Sequence, residues 1–101
     1  MLQIPKSFTL CGTTIIVEKV EYIEDGSIYG RFCDFTSTIT IAEKIWHEGS
    51  FVQVPEHIQI KTFYHELFHA FNYNLNTEAS EEIAQTFSNF MYEFAISKVN
   101  S

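Results

Sequence analysis

The sequence predicts an α+β fold, a small antiparallel sheet of three to four strands followed by two helices. Three observations carry this prediction. Residues 8–42 hold short runs rich in β-branched residues, separated by turn signals. Residues 56–73 contain neither Gly nor Pro and repeat apolar residues at helical spacing. A polar break at Asn72, Asn74, Asn76 and Thr77 divides that stretch from a second one of the same kind. Strands first and helices afterwards make an α+β pattern, because a parallel α/β sheet needs strands and helices to alternate.

Each element has its own signal. Phe8-Thr9-Leu10-Cys11 forms the first strand and Gly12 ends it. Thr13 to Val20, with Ile15, Ile16 and Val17 at its centre, forms the second. Asp25-Gly26-Ser27 is a turn. Ile28 to Asp34 forms a third strand, and the alternating run Ser37 to Ala42 a fourth. Short links make an antiparallel meander the simplest arrangement. Residues 43–54 read as a connection: Ala42 to His47 suits a helical turn, and Glu48-Gly49-Ser50 breaks it. Pro55 fits the first position of a helix, and Glu56 puts negative charge in its first turn. That helix reaches about Tyr73. A second starts between Thr77 and Ser80, both good N-cap types, and runs to about Lys98.

The length of 101 residues corresponds to one domain spanning 1–101. A composition 46% hydrophobic and 16% aromatic is that of a globular chain. Thirteen acidic residues against 6 basic ones give a net charge of −7, with no Lys/Arg cluster. Nucleic acid is excluded as a partner, since phosphate binding needs a basic footprint, and so is an anionic membrane surface. Met1 to Lys6 lacks the basic-then-apolar pattern of a leader, and no apolar run reaches the roughly 18 residues of a membrane span. Cys11 and Cys33 are too few for a disulfide scaffold and lack CxxC spacing. They read as reduced thiols of a cytoplasmic protein, with one bridge between neighbouring strands as the alternative.

His65-Glu66-Leu67-Phe68-His69 is an HExxH pattern on the first helix. Residues four apart on a helix lie one above the other, so both imidazoles can reach one metal ion. Zinc accepts neutral imidazole nitrogen and tetrahedral geometry. Glu66 is placed to take a proton from a zinc-bound water without being a ligand itself. The plain alternative is a helix with two surface histidines and a surface glutamate. The helical wheel argues against it. At about 100° per residue from His65, the apolar residues Ile60, Phe63, Tyr64, Leu67, Phe68, Ala70 and Phe71 span about 140° to 300°. The histidines share the other side with Ile58 and Thr62. So apolar a helix is covered on more than one side, and its His side then faces a cleft.

A catalytic zinc commonly has three protein ligands. The second helix offers Glu78, Glu81 and Glu82. Its apolar face is Ile83, Ala84, Phe87, Phe90, Met91 and Phe94. Glu81 lies about 120° from the centre of that face and borders Ala84 and Ser88. Glu82 lies nearly opposite the face, and Glu78 falls at the frayed start. The wheel favours Glu81, with Glu82 the main rival. Attraction of carboxylates to the helix N-terminus is the competing explanation for all three.

Lys61-Thr62-Phe63-Tyr64-His65-Glu66-Leu67-Phe68-His69-Ala70, followed by Ser80-Glu81-Glu82-Ile83-Ala84-Gln85-Thr86-Phe87, resembles the minimal zincin domains of the ImmA/IrrE-type metallopeptidases. Among these it is most similar to the short phage- or prophage-encoded members. The resemblance covers residues 61–91, and Gly30 to Ile41 looks like the family's edge-strand hairpin. It implies a few strands, an HExxH helix and a second helix carrying a ligand glutamate. The family's second-helix pattern falls on Glu81, Ala84 and Phe87, which implies Glu81 as that ligand. The chain departs in lacking the larger members' additional segments and in having Gln85 where those members often have Asn. These departures bear on the substrate more than on the metal.

The expected function is therefore that of a zinc-dependent peptidase of gluzincin type acting on a protein or peptide. Zn2+ would sit on His65, His69 and Glu81, and Glu66 would be the general base. The alternative is a zinc-containing interaction module with little or no catalysis, and a metal-free α+β domain is the third reading. Tyr73, His47 and His57 are candidate oxyanion donors, although each is better read as a packing or exposed residue. Trp46 reads as core or cleft wall, Lys61 as solvated or paired with an acidic neighbour. Phe87, Phe90 and Phe94 read as core; exposed, they would mark a partner surface.

Overall fold

The structure, a computed structural model, describes residues 3–78 and 80–99. Met1 and Leu2 of the N-terminal segment and Ala79 near the second helix start lie outside the described residues. The fold is α+β in the expected order: a four-stranded sheet, a small second sheet, then two helices.

β1 (Ser7–Leu10) pairs antiparallel with β2 (Thr13–Val20). The link is Cys11-Gly12, with φ of 51° and 81°. A two-residue turn with both φ positive matches the right-handed twist of its strands. Cys11, expected as the end of a strand, thus belongs to the turn. β3 (Gly30–Cys33) and β4 (Thr38–Ala42) form a second hairpin, with Phe32 opposite Ile39.

The meander expectation is corrected at the middle of the sheet. β4 lies beside β2 and parallel to it, with Val17 opposite Ile39, so the strand order is β1-β2-β4-β3. Burial explains the exchange. Ile39, Thr40, Ile41 and Ala42 are all buried, as a central strand covered on both faces requires. β3 carries Arg31 and Cys33 on its exposed side and suits an edge. Residues 21–29 provide the length to step over one strand position.

Residues 43–54 are a hairpin and not a plain connection. β5 (Lys44–His47) pairs with β6 (Ser50–Gln53) across Glu48-Gly49, whose φ values are 48° and 87°. The break at Glu48-Gly49 is this turn. Trp46 stands on β5 half-exposed, edge-on to Phe51, which stacks on Tyr22 at 4.6 Å. It is neither core nor cleft wall.

α1 (Glu56–Asn74) follows Pro55 and lies across the four-stranded sheet. Phe63 and Ala70 join Ile15, Val17, Ile39 and Ile41 in the core, with Phe8, Leu10, Phe32, Tyr64 and Leu67 around them. Phe71, expected on this face, is 42% exposed at its margin. α2 (Glu81–Val99) is capped by Ser80, whose Oγ accepts the Ile83 N–H at 3.1 Å. It runs antiparallel to α1, as the pairings Phe68–Phe87 and His57–Tyr92 require.

α2 rests on α1 and hardly on the sheet. Only the side toward α1 is therefore covered, and small residues, Ala84 and Ser88, occupy that close approach. This corrects the reading of the Phe stripe. Phe87 packs on Phe68 at 4.8 Å, but Phe90 and Phe94 are 60% and 50% exposed and stack on one another at 6.2 Å. No described helix is long and apolar enough to cross a membrane. Cys11 and Cys33 are free and exposed, so no bridge joins them.

Candidate metal centre

The i, i+4 spacing on α1 brings His65 and His69 together, their Nε2 atoms 3.2 Å apart. Glu81 is the first residue of α2, and the Ser80 cap fixes where that first turn begins. Its carboxylate straddles both rings. Oε2 lies 2.9 Å from His65 Nε2 and Oε1 lies 3.1 Å from His69 Nε2. One ligating atom from each of the three residues falls within 4.8 Å of the others. The structure thus brings together the three residues expected as ligands. Glu78 and Glu82 are exposed and outside the group.

Two imidazole nitrogens and one carboxylate oxygen form a set that suits zinc and other divalent transition ions. Three protein ligands leave room for a further one from the solvent side. That side is a cleft of about 800 Å³. Tyr29 and β3 as far as Phe32 form one wall, α2 forms the other with Glu81, Gln85 and Ser88, and α1 forms the floor.

Glu66 lies on that floor beside His65 and is only 9% exposed. Burial pushes its carboxyl up to about 7 from the usual 4.5. His65 opposes the rise, Glu81 adds to it, and the backbone N–H of Phe32 opposes it. A carboxyl poised near neutrality beside a metal-ligand set is suited to accept and release a proton.

Gly30 makes the approach of β3 to α1 possible, and the motif alone did not show it. A Cβ at Gly30 would lie 2.5 Å from Thr62 Cγ2, 3.1 Å from the Thr40 carbonyl oxygen and 3.5 Å from Glu66 Cγ. The Thr40 oxygen is backbone and cannot swing aside. Gly30→Ala is therefore expected to push β3 away from α1, at a cost of about 1–3 kcal/mol in a urea melt. Because Glu66 shares that contact, the same change should also disturb the cleft floor beside His65.

The remaining candidates are dispersed. Tyr73 packs edge-on against Phe32, His57 sits near Tyr92, and His47 stands 3.9 Å from Glu48 on the β5–β6 hairpin. None of the three lines the cleft. Lys61 does, and its ammonium sits over the Tyr92 ring at 5.2 Å rather than on an acidic neighbour. No family model matches the chain, and neither the curated proteins nor the solved structures contain a match to it.

Proposed function

We propose that the chain is a zinc-dependent peptidase of the minimal zincin kind, akin to the ImmA/IrrE-type metallopeptidases. The observation that carries the reading is the convergence of His65, His69 and Glu81 at the base of an open cleft, with buried Glu66 beside them. Bound there, zinc would supply Lewis acidity toward a water and a peptide carbonyl. Glu66 would take the proton released in the attack and pass it to the departing amine. β3 is the edge of its sheet, so an extended peptide could align along its outer backbone groups. The exposed free thiols suit a reducing, cytoplasmic setting.

Glu66→Gln separates binding from chemistry. The variant should retain one zinc per chain and lose peptide cleavage by at least about a hundredfold. A zinc-loaded Glu66→Gln protein that cleaved as fast as the parent would sink the mechanism.

One observation favours a second reading, a zinc-stabilised interaction module. Ile83, Phe90 and Phe94 form an exposed apolar stripe on α2, away from the cleft. Zinc binding without cleavage of any peptide in a broad degenerate library would favour it.

A further inference from the structure

We infer that Lys61 is the point at which the cleft recognises an anion, selecting peptides that carry a carboxylate a few residues from the attacked bond. The inference rests on the peptidase reading and adds to it the class of substrate.

Lys61 lies one helical turn before His65 on α1, and both line the cleft floor. Two cationic residues line this cleft. Arg31 sends its guanidinium to Glu24 at 3.2 Å, so its charge is already matched. Lys61 is half-buried and rests on the π-face of Tyr92, brought in from α2. Among the described residues no carboxylate stands within ion-pair distance of it. A ring face holds an ammonium in place but satisfies none of its three N–H donors fully. A carboxylate entering the cleft would accept those hydrogen bonds in partly desolvated surroundings, where charge-assisted bonds are strongest. Glu81 lines the same cleft but is engaged by both imidazoles.

Distance sets where the carboxylate must be. The Lys61 ammonium reaches back to Tyr92, which sits beside His57, about two helical turns or roughly 11 Å before His65, and an extended peptide advances about 3.3 Å per residue. The carboxylate therefore belongs roughly three residues from the attacked carbonyl. The net charge of −7 makes this a sharp requirement. The protein as a whole repels anionic peptides, so a favourable acidic residue must be favourable at one position and not by count. A side-chain carboxylate and a free C-terminal carboxylate share this chemistry.

The test uses zinc-loaded Glu66→Gln protein, which is expected to hold peptide without cleaving it, and fluorescent peptides read by anisotropy. One set is amidated, with a single Glu moved through an otherwise neutral sequence; a second is neutral with a free C-terminus. One position should tighten binding about tenfold relative to neutral amidated peptide, and added salt should weaken that gain. Gain in the first set assigns a side chain, gain in the second a chain end. Lys61→Arg should keep the preference, Lys61→Met abolish it, and Lys61→Glu transfer it to Lys-containing peptides. Unchanged zinc stoichiometry in each variant shows that it is folded. Neutral peptides that bind as tightly as acidic ones, or a preference that survives in Lys61→Met, overturn the inference and leave the peptidase reading standing. Absence of binding by every peptide, with no cleavage by the parent, overturns both.

Discussion

Zinc returned to chelator-treated protein is expected to bind one equivalent and raise the melting temperature by roughly 15–30 °C. At about a thousand times its dissociation constant, a ligand of the native state adds about 4 kcal/mol, and a domain of this size gains about 4–8 °C per kcal/mol. The architecture makes the coupling direct. α2 rests on α1 and hardly on the sheet, and Glu81 at its start meets histidines of α1. An ion on these three residues would tie the two helices together where their connecting loop ends. The imidazole nitrogens and the Glu81 carboxylate oxygens already stand 2.9 to 3.2 Å apart. His65→Ala, His69→Ala and Glu81→Ala should each lose most of the zinc-dependent rise in calorimetry. Glu82→Ala should keep it, since Glu82 lies outside the group. Equal loss in Glu81→Ala and Glu82→Ala would refute the ligand assignment.

Helix geometry makes the ranking of Glu81 over Glu82 legible in the sequence. A helix has one period, so placing Ile83, Ala84 and Phe87 also places Glu81 and Glu82, and a serine cap fixes the phase. The sheet was harder for the same kind of reason. A strand's residues state which faces are covered but not which neighbour it takes. The run Thr38–Ala42 alternates Thr with Ile, the pattern of a strand covered on one face, although the fold buries it almost throughout, and short links favoured the meander. The β5–β6 hairpin hid behind Glu48 at positive φ, a conformation that a non-Gly residue seldom adopts.

The Phe stripe of α2 shows a different limit. Periodicity identifies an apolar face but not whether the fold supplies a surface to cover it. α1 is too narrow to cover Ala84, Phe87, Phe90 and Phe94 together, so Phe90 and Phe94 are left to stack on each other. Gly30 was legible only as part of a strand. Its role depends on how closely that strand passes Thr62 and Glu66, which is a tertiary fact.

In metal-free protein, Glu66→Gln is expected to stabilise the fold at pH 8 and to leave it nearly unchanged near pH 4.5. The sign follows from burial. The Glu66 carboxyl is raised to about 7, whereas in an unfolded chain it titrates near 4.5. Between these values the folded protein holds a proton that the unfolded chain releases, so stability falls as pH rises. Above pH 7 the whole penalty is present, about 3 kcal/mol for a shift of this size. Glutamine resembles the protonated acid in shape and does not ionise, so it escapes the penalty. Urea melts of both proteins with EDTA, at pH 4.5 and 8, measure the difference. A constant gap at the two pH values would mean that Glu66 is not held neutral by its surroundings. Zinc should narrow the gap at pH 8, because a divalent cation beside His65 favours the ionised carboxylate. The burial that destabilises the empty fold would then keep a proton acceptor on the cleft floor, ready when the metal arrives.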